Sequence, residues 1–358
     1  MKIFDKNSSA FLHEYLNNAS PTGFEAPGQR IWMDYLKPYV DTFETDTYGS
    51  AYAVINPKAK YKVVIEAHAD EISWFVNHIG KDGMIRVIRN GGSDHAIAPS
   101  KRVNIHTDKG FVTGVFGWPA IHTRKGKDAN MSPTLDKIFI DVGASSKDEV
   151  LKLGIQVGNV ITYKDELIQI GDYYVGRALD NKMGGFCIAQ VARMLHANKK
   201  KLPFGLYIVN SVQEEIGLRG AQMIANTIQP NVAIVTDVTH DTSTPHIEPK
   251  KYGDTKCGKG PAVTFAPSVH NKLLDLIIKT AKTKKIDLQR EVASRSTGTD
   301  TDAFAYTGRG IPSALISLPL RYMHTTVEMA HSNDIEDVIK LIYETVIRIK
   351  DGQTFKYL

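Results

Sequence analysis

Two adjacent glutamates, Glu214 and Glu215, give the first indication of chemistry in this 358-residue chain. They closely follow an apolar run at 206–209, which predicts a buried strand, and Gly217 permits a sharp turn after them. Two carboxylates at the end of a buried strand repel each other and lose hydration, so a bound cation would offset the cost. A divalent metal held by one glutamate, with the other free to move protons, fits this pattern. The alternative is an exposed pair that opens a helix.

Imidazole and carboxylate groups follow predicted strands or lie in polar turns at four further places: His68 with Asp70, Asp180, Asp237 and His324. Zinc and cobalt accept mixed nitrogen and oxygen ligands, and two ions that share one aspartate need about five protein groups. Open α/β sheets place their sites at the carboxyl ends of strands, where these residues are expected. Each position also has a structural alternative, such as a helix N-cap for Asp180 and a surface position for His324. Together they predict one metal site.

The elements expected around these residues form an α/β layer. Helical spacing is found at 8–16, 29–36, 183–197, 218–227, 273–283 and 334–350. Apolar strands are expected at 51–55, 62–67, 206–211, 232–237 and 313–317. Strands separated by helices predict a largely parallel or mixed sheet that is sandwiched between helices.

A segment with a different hydrophobic pattern interrupts this α/β layer. Between residues 74 and 167, short apolar runs alternate with turn signals, among them the Asn-Gly-Gly triplet at 90–92. This spacing predicts a small inserted all-β domain, barrel-like or sandwich-like. We therefore expect a catalytic domain formed by residues 1–73 and 168–358, and a β domain at 74–167.

Composition excludes several classes of protein. Hydrophobic residues at 42% and charged residues at 23% are ordinary values for a globular chain. The sequence shows neither an 18-residue apolar span nor the apolar core of a signal peptide, and two cysteines are too few for a disulfide framework. A cytoplasmic location is therefore expected. The net charge of +5 is dispersed, and the lysine runs lack interleaved aromatic residues, so neither nucleic acid nor a membrane is expected as a partner.

The motifs, in their order along the chain, resemble those of the cytosolic tetrahedral (TET-type) metalloaminopeptidases. They are His68-x-Asp70, Gly-Arg-x-x-Asp180-Asn181, Glu214-Glu215-x-Gly, Thr236-Asp237, Gly298-Thr299-Asp300 and Arg321-Tyr322-x-His324. That family includes glutamyl and deblocking aminopeptidases, and some members are labelled endoglucanase M. The resemblance covers nearly the whole chain, including the β insertion, and implies a zinc-exopeptidase-like fold.

The resemblance also implies a ligand set for two divalent metal ions per subunit. One ion would be bound by His68, Asp180 and Asp237. The other would be bound by Asp180, Glu215 and His324, so that Asp180 bridges the pair. Zinc or cobalt is the expected metal, and manganese is a further candidate.

Roles in catalysis follow from the same resemblance. Glu214 would be the general base that activates a water between the metals. Asp70 would assist catalysis as a supporting group next to His68. The match at Asp300 implies a structural or site-lining role. In similar enzymes the peptide bond after the bridging aspartate is often cis, so we expect a cis bond between Asp180 and Asn181.

The implied activity is removal of N-terminal residues from short peptides by a homo-oligomer, a dodecamer built from dimers. A related metal-dependent deacylase or carboxypeptidase is an alternative, because its metal chemistry would be nearly the same. A glycosidase is a more remote alternative, since it needs two separated carboxyl groups that flank a sugar. A non-catalytic binding protein on a peptidase scaffold should lack a ligand or the base, and here none is missing.

Overall fold

Helices and strands alternate along the part of the chain that this computed structural model describes, residues 2–126 and 130–358. The α-helices are α1 (Lys6–Asn17), α2 (Ala26–Leu36), α3 (Lys147–Lys152), α4 (Leu179–Ala197), α5 (Arg219–Ile228), α6 (Pro249–Tyr252), α7 (Asn271–Lys284), α8 (Asp300–Ala305) and α9 (Ser332–Val346). The strands are β1 (Thr42–Thr45), β2 (Ala51–Ile55), β3 (Lys62–His68), β4 (Ser73–Ile79), β5 (Ile85–Asn90), β6 (Arg102–Thr107), β7 (Gly110–Gly117), β8 (Phe139–Asp141), β9 (Val160–Tyr163), β10 (Ile168–Ile170), β11 (Tyr173–Gly176), β12 (Gly205–Ser211), β13 (Val232–His240), β14 (Ala262–Phe265), β15 (Gln289–Val292), β16 (Ser313–Arg321) and β17 (Glu328–His331).

A mixed 11-stranded sheet forms the centre of the larger part. Its main order is β1-β2-β12-β3-β13-β16-β17-β11-β10, and β14 joins β16 to β15. The four central strands, β12, β3, β13 and β16, run parallel, whereas the outer pairs are antiparallel. Central parallel strands are covered on both faces, which explains why β3 reads as an almost continuous apolar run. The carboxyl ends of these four strands therefore meet at one edge.

Two groups of helices cover this sheet. Helices α1, α2 and α9 contact α4, which packs on β3 and β13 and is buried along almost its whole length, while α7 packs against α9. Helix α5 contacts α8 in a second group, next to β12 and β16. Local capping supports the first group, because Asp5 and Ser8 close the start of α1 with reciprocal hydrogen bonds. The predicted sheet between helices is confirmed.

The inserted segment forms a closed six-stranded barrel. Its strands pair in the order β4-β5-β8-β7-β6-β9, and they lie within residues 73–163. The barrel has its own hydrophobic cluster, centred on side chains such as Trp74 and Phe116, distinct from the cluster that fills the sheet layers. The predicted small barrel is thus confirmed, and the segment also contains the short helix α3.

One detail differs from the sequence-based expectations. Strand β13 was expected to end at Asp237 but continues to His240, because its parallel pairing with β16 extends through His240 and Leu320. Asp237 therefore lies within a strand rather than at its end. None of the helices in the described ranges is both long and apolar enough to cross a membrane, and both cysteines, Cys187 and Cys257, are buried and free.

A buried ion pair ties the chain on both sides of the barrel to the N-terminal segment. The Arg177 guanidinium contacts the Glu71 carboxylate, and the two side chains are only 8% and 4% exposed. Arg177 also donates to the backbone oxygen of Asn17, and Glu71 accepts from the backbone N–H of Ser20 at 2.7 Å. Burial raises the pKa of Glu71, but Arg177 and Lys182 outweigh it and hold that pKa below its usual value. The pair therefore fixes the segment that follows β3, next to His68, against the segment that follows β11.

We expect Glu71→Gln to destabilise the protein by about 3–5 kcal/mol, because Arg177 would stay buried without a counter-charge. The shift in the urea midpoint, converted with the slope of the transition, measures this loss. Asp34→Asn is the matched control, since the Asp34–Lys37 pair is exposed and should contribute little. Equal effects of the two substitutions would contradict the role given to the buried pair.

Candidate metal centre

The predicted ligands come together at the carboxyl edge of the parallel strands. Each is carried by a different element, and they are His68 at the end of β3, Asp180 at the start of α4, Glu214 and Glu215 in the turn after β12, Asp237 on β13 and His324 in the turn after β16. All of them are buried or half-buried. The structure therefore assembles in one place residues that are up to 256 positions apart in the chain, His68 and His324.

Asp180 lies between the two histidines. Its Oδ1 is 3.3 Å from His68 Nε2, and its Oδ2 is 3.3 Å from His324 Nε2. Ligands about 2.1 Å from a tetrahedral zinc ion lie about 3.4 Å from one another. The two oxygens of one carboxylate are thus spaced to serve two cations, each shared with one histidine.

The remaining ligand atoms divide between these two positions. Asp237 Oδ1 is 3.8 Å from His68 Nε2, and Glu215 Oε2 is 3.5 Å from His324 Nε2. A third combination is also geometrically possible, because Glu214 Oε2 lies 3.8 Å from His68 Nε2 and can be grouped with Glu215. The first two groups use both histidines and both oxygens of Asp180, whereas the third leaves His324 without a role. We therefore favour the first two.

The crowding of buried carboxylates changes their pKa values. Burial, together with repulsion from Asp237, raises the pKa of Glu214 to about 10, although His68 opposes the shift. Burial and repulsion from Asp180 raise the pKa of Asp237 to about 8, and the same two causes raise that of Glu215 well above its usual value. Burial alone would also raise the pKa of Asp180, but its contacts with His324 and His68 hold it below the ordinary range. So many buried acids in one place are a suitable donor set for divalent cations.

Asp70 holds the loop that carries the two glutamates. Its Oδ1 accepts from the backbone N–H of Glu214 at 3.0 Å, and its Oδ2 accepts from that of Glu215 at 3.2 Å and from the Thr22 hydroxyl at 2.8 Å. The same carboxylate lies 3.3 Å from His68 Nδ1. Asp70 therefore orients one histidine ligand and fixes the backbone of both glutamates.

Sequence reasoning missed Glu328, a buried carboxylate on β17. Its Oε1 accepts from the backbone N–H of His324 at 2.8 Å, and its Oε2 accepts from that of Asp180 at 3.2 Å. His324 has a φ of +62°, a conformation that needs support in a non-glycine residue. The only signal in the sequence is an acidic residue four positions after His324, followed by the apolar residues Met329 and Ala330.

The turn into α4 has the expected backbone. The Asp180–Asn181 peptide bond is cis, as predicted. The backbone dihedral angles of Asp180 and Asn181 are not helical, and the carboxylate of Asp180 faces the two histidines instead of capping the helix. Asn181 donates from Nδ2 to the backbone oxygen of Thr236 at 2.8 Å, which ties this turn to strand β13 beside Asp237.

Asp300 lies beneath the ligands rather than among them. The Ser211 hydroxyl is 2.7 Å from Asp300 Oδ2 and 2.6 Å from Glu66 Oε1, and all three residues are buried. Burial and the neighbouring Asp300 raise the pKa of Glu66 well above its usual value. The structure thus gives Asp300 a structural position, whereas Asp302 lines the cleft above.

The ligands open into a cleft of about 710 Å³. Beside the metal-ligating groups, its walls carry apolar side chains and hydroxyls: Leu218, Val238, Met323, Thr239, Ser296 and Thr297. Among the described residues, no Lys or Arg side chain lines this cleft. The arrangement offers candidate cation ligands in a solvent-open groove whose other lining residues are mostly uncharged, with Asp302 as an acidic exception.

Comparison with known proteins identifies the family of this chain. The M42 glutamyl aminopeptidase family matches residues 49–341. A lysyl aminopeptidase of Pyrococcus furiosus is 33% identical over 335 residues, which are 92% of this chain and 94% of that protein. The structure of a TET aminopeptidase from a marine-sediment Thaumarchaeota archaeon superposes with a TM-score of 0.91 at 29% identity and covers 96% of each chain. That of the TET1 peptidase of Pyrococcus horikoshii, described as able to assemble into a tetrahedron or a large octahedral shell, gives 0.82 at 26% identity, over 96% of this chain and 100% of the other.

The family match spans both the sheet strands and the barrel, and the relatives cover nearly the full length of this chain. The resemblance inferred from the motifs is therefore confirmed. This chain belongs to the M42 glutamyl aminopeptidase family and is an aminopeptidase, a hydrolase of peptide bonds.

Proposed function

We propose that this protein removes N-terminal residues from short peptides with the help of two divalent cations. The observation that carries the proposal is the position of Asp180, which presents one oxygen to each of two histidines at 3.3 Å. Family membership implies divalent metal ions, and the donor set of imidazoles and carboxylates suits zinc or cobalt, with manganese as a further candidate.

In this proposal His68, Asp180 and Asp237 hold one cation, and Asp180, Glu215 and His324 hold the other. Both groups have ligand atoms within 4.8 Å of one another. When bound, the cations supply Lewis-acid chemistry that polarises the scissile carbonyl and lowers the pKa of water. The protein contributes the fixed spacing of the ligands, because each of the five comes from a different strand, helix or turn.

Glu214 is the proposed general base. Its carboxylate lies at the cleft beside His68 and is needed by neither of the favoured cation groups. It would take the proton from the attacking water at Oε2 and later give it to the leaving amine. Asp70 keeps the carboxylate in place through the backbone N–H of Glu214, so we assign Asp70 a positioning role.

The acidic surroundings of the site also favour substrates with a free N-terminal amine. Four carboxylates border the base of the cleft: those of Asp180, Glu214, Glu215 and Asp237. The two proposed cations would offset most of this negative charge, but Glu214 and Asp302 are used by neither cation group and would attract a protonated amine and repel a substrate carboxylate. This distinguishes an aminopeptidase from a carboxypeptidase on the same scaffold, for which a cationic side chain in the cleft would be expected.

We expect Glu214→Gln to lower kcat by about two or more orders of magnitude while two metal ions per chain are retained. Glu215→Ala should instead reduce the metal content, because it removes a ligand. Steady-state kinetics and elemental analysis of dialysed protein provide the two measurements. If the Gln variant loses a cation, Glu214 is a metal ligand, as in the group of His68, Glu214 and Glu215. A fully active Gln variant would remove Glu214 from the mechanism.

A panel of aminoacyl-anilides should show chelator-sensitive cleavage that zinc, cobalt or manganese restores. We expect leucyl or alanyl anilide to be cleaved with at least about tenfold higher kcat/KM than glutamyl anilide, since the cleft offers a glutamate side chain no cationic partner. N-acetylated anilides are the matched control and should resist cleavage. Preference for acylated substrates would favour a deacylase instead.

The barrel is the proposed assembly surface. We assign residues 1–73 and 168–358 to catalysis, and 74–167 to oligomerisation and control of substrate access. Apolar side chains project from the barrel into solvent, with Phe111 and Ile121 each 69% exposed. Single exposed apolar residues are common on protein surfaces, so these two positions serve as the sites at which the proposed contact is tested. Because similar peptidases form closed shells, we propose a homo-oligomer, a dodecamer built from dimers.

Light scattering on metal-loaded protein should give a mass about twelve times the 39.7 kDa of one chain. The double substitution Phe111→Ser with Ile121→Ser should lower this mass while anilide cleavage continues, because neither residue lies in the cleft. The control is Lys81→Ser, at an exposed barrel turn. A fully active wild-type monomer would contradict the assembly but not the chemistry.

A further inference from the structure

A glycine pair of the barrel lies against the second cation group. Gly91 and Gly92 follow β5, and a Cβ atom on Gly92 would lie only 2.5 Å from His324 Nδ1 and 2.6 Å from Cε1 of the same ring. A Cβ atom on Gly91 would lie 3.2 Å from the Cβ of Glu215. Carbon and nitrogen atoms do not approach this closely without displacement, so the loop has no room for a side chain at Gly92.

Buried hydrogen bonds fix this loop. Asn90 donates from Nδ2 to the backbone oxygen of Thr22 at 2.9 Å and to the Ser73 hydroxyl at 2.8 Å. Ser93 donates from its hydroxyl to the backbone oxygen of Ser73 at 2.7 Å. Because both flanking side chains are buried, the two glycines cannot easily move away from the histidine.

His324 is thus held from two directions. Glu328 accepts from its backbone N–H, and the Gly92 backbone lies against its ring. Between these contacts, Nε2 is directed to Asp180 at 3.3 Å and to Glu215 at 3.5 Å. Two residues further along the same turn, Lys101 of the barrel contacts the Thr326 hydroxyl. Barrel groups therefore contact the turn of His324 at two places.

We propose that Gly92 is a positioning residue of the second cation site, and that the barrel loop at 90–93 forms one wall of that site. The inference rests on the proposed two-cation site. The absence of a side chain at Gly92 allows the backbone to support the ring of His324 in the orientation that binds the cation. The affinity of this cation then depends on the docking of the barrel, while the cation held by His68, Asp180 and Asp237 does not touch the loop.

Gly92→Ala tests the proposal directly. The backbone of Gly92 lies outside the left-handed region, so alanine adds a methyl group without backbone strain, whereas Gly91 has a φ of +81° and is unsuitable. We expect the variant to bind one of its two cations about 10- to 100-fold more weakly, the usual effect of disturbing a group that supports a ligand. Titration of chelator-treated protein with zinc, followed by calorimetry, measures both affinities. Unchanged affinities would overturn the proposal.

Gly117→Ala is the matched control within the barrel. A Cβ atom there would lie 2.6 Å from the Phe139 ring, and the backbone again lies outside the left-handed region. This variant should lose stability in a similar way and still bind two cations with wild-type affinity. Equal loss of the weaker cation in both variants would mean that general destabilisation, not the contact with His324, is the cause, and would overturn the proposal.

A double-mutant cycle with chelator-treated, metal-free protein gives a second readout that does not depend on metal binding. Gly92→Ala should lower the melting temperature of the wild type but not that of His324→Ala, because the ring that meets the methyl group is then absent. An equal decrease in both backgrounds would overturn the proposal. If the wild-type protein binds a single cation, the proposed two-cation function itself is wrong. This outcome distinguishes failure of the proposed function from failure of the role given to Gly92.

Discussion

The structure depends on one electrostatic constraint, the crowding of buried carboxylates around Asp180. Its two oxygens face His68 and His324, and three further acids lie within the same groups of ligand atoms. Such a cluster is unfavourable in a low-dielectric interior unless positive charge is supplied. The two divalent cations that we propose would meet this requirement, and so the same acids that would destabilise a purely structural core would become useful in a hydrolase.

The fold satisfies this constraint by dividing the ligands among separate elements. Strands β3, β12, β13 and β16 are parallel, so their carboxyl ends bring distant residues to one edge. The turns beyond them are then fixed by two further carboxylates: Asp70 accepts from the backbone after β12, and Glu328 accepts from the backbone of His324 and Asp180. Asp70 also accepts from the Thr22 hydroxyl and lies beside the His68 ring, whereas Glu328 accepts from backbone N–H groups. The site is therefore held by backbone hydrogen bonds as much as by side-chain packing.

The sequence predicts the parts of this arrangement that follow from local patterns. Buried strands have continuous apolar runs and helices have 3.6-residue spacing, so the sheet, the main helices and the ligands beside the strands could be inferred. Glu328 and Glu71 could not, because burial of a single acid depends on partners that lie far away in the chain, such as Arg177 for Glu71. Gly92 looked like an ordinary turn glycine, since the ring it contacts lies more than 200 positions later. The extension of β13 beyond Asp237 likewise depends on pairing with β16.

The position of the barrel in the sequence bears on its relation to the site. The barrel leaves the sheet layer five residues after His68, at the start of β4, and the chain returns to the sheet before Asp180. Both connections therefore begin or end beside a ligand, and a compact domain attached in this way must dock close to the site. The observed contacts agree, since the 90–93 loop and Lys101 both contact the turn that carries His324. An insertion at this point can supply both a wall of the site and an outer surface for association. The geometry of the ligands therefore depends on how the barrel packs against the sheet layer.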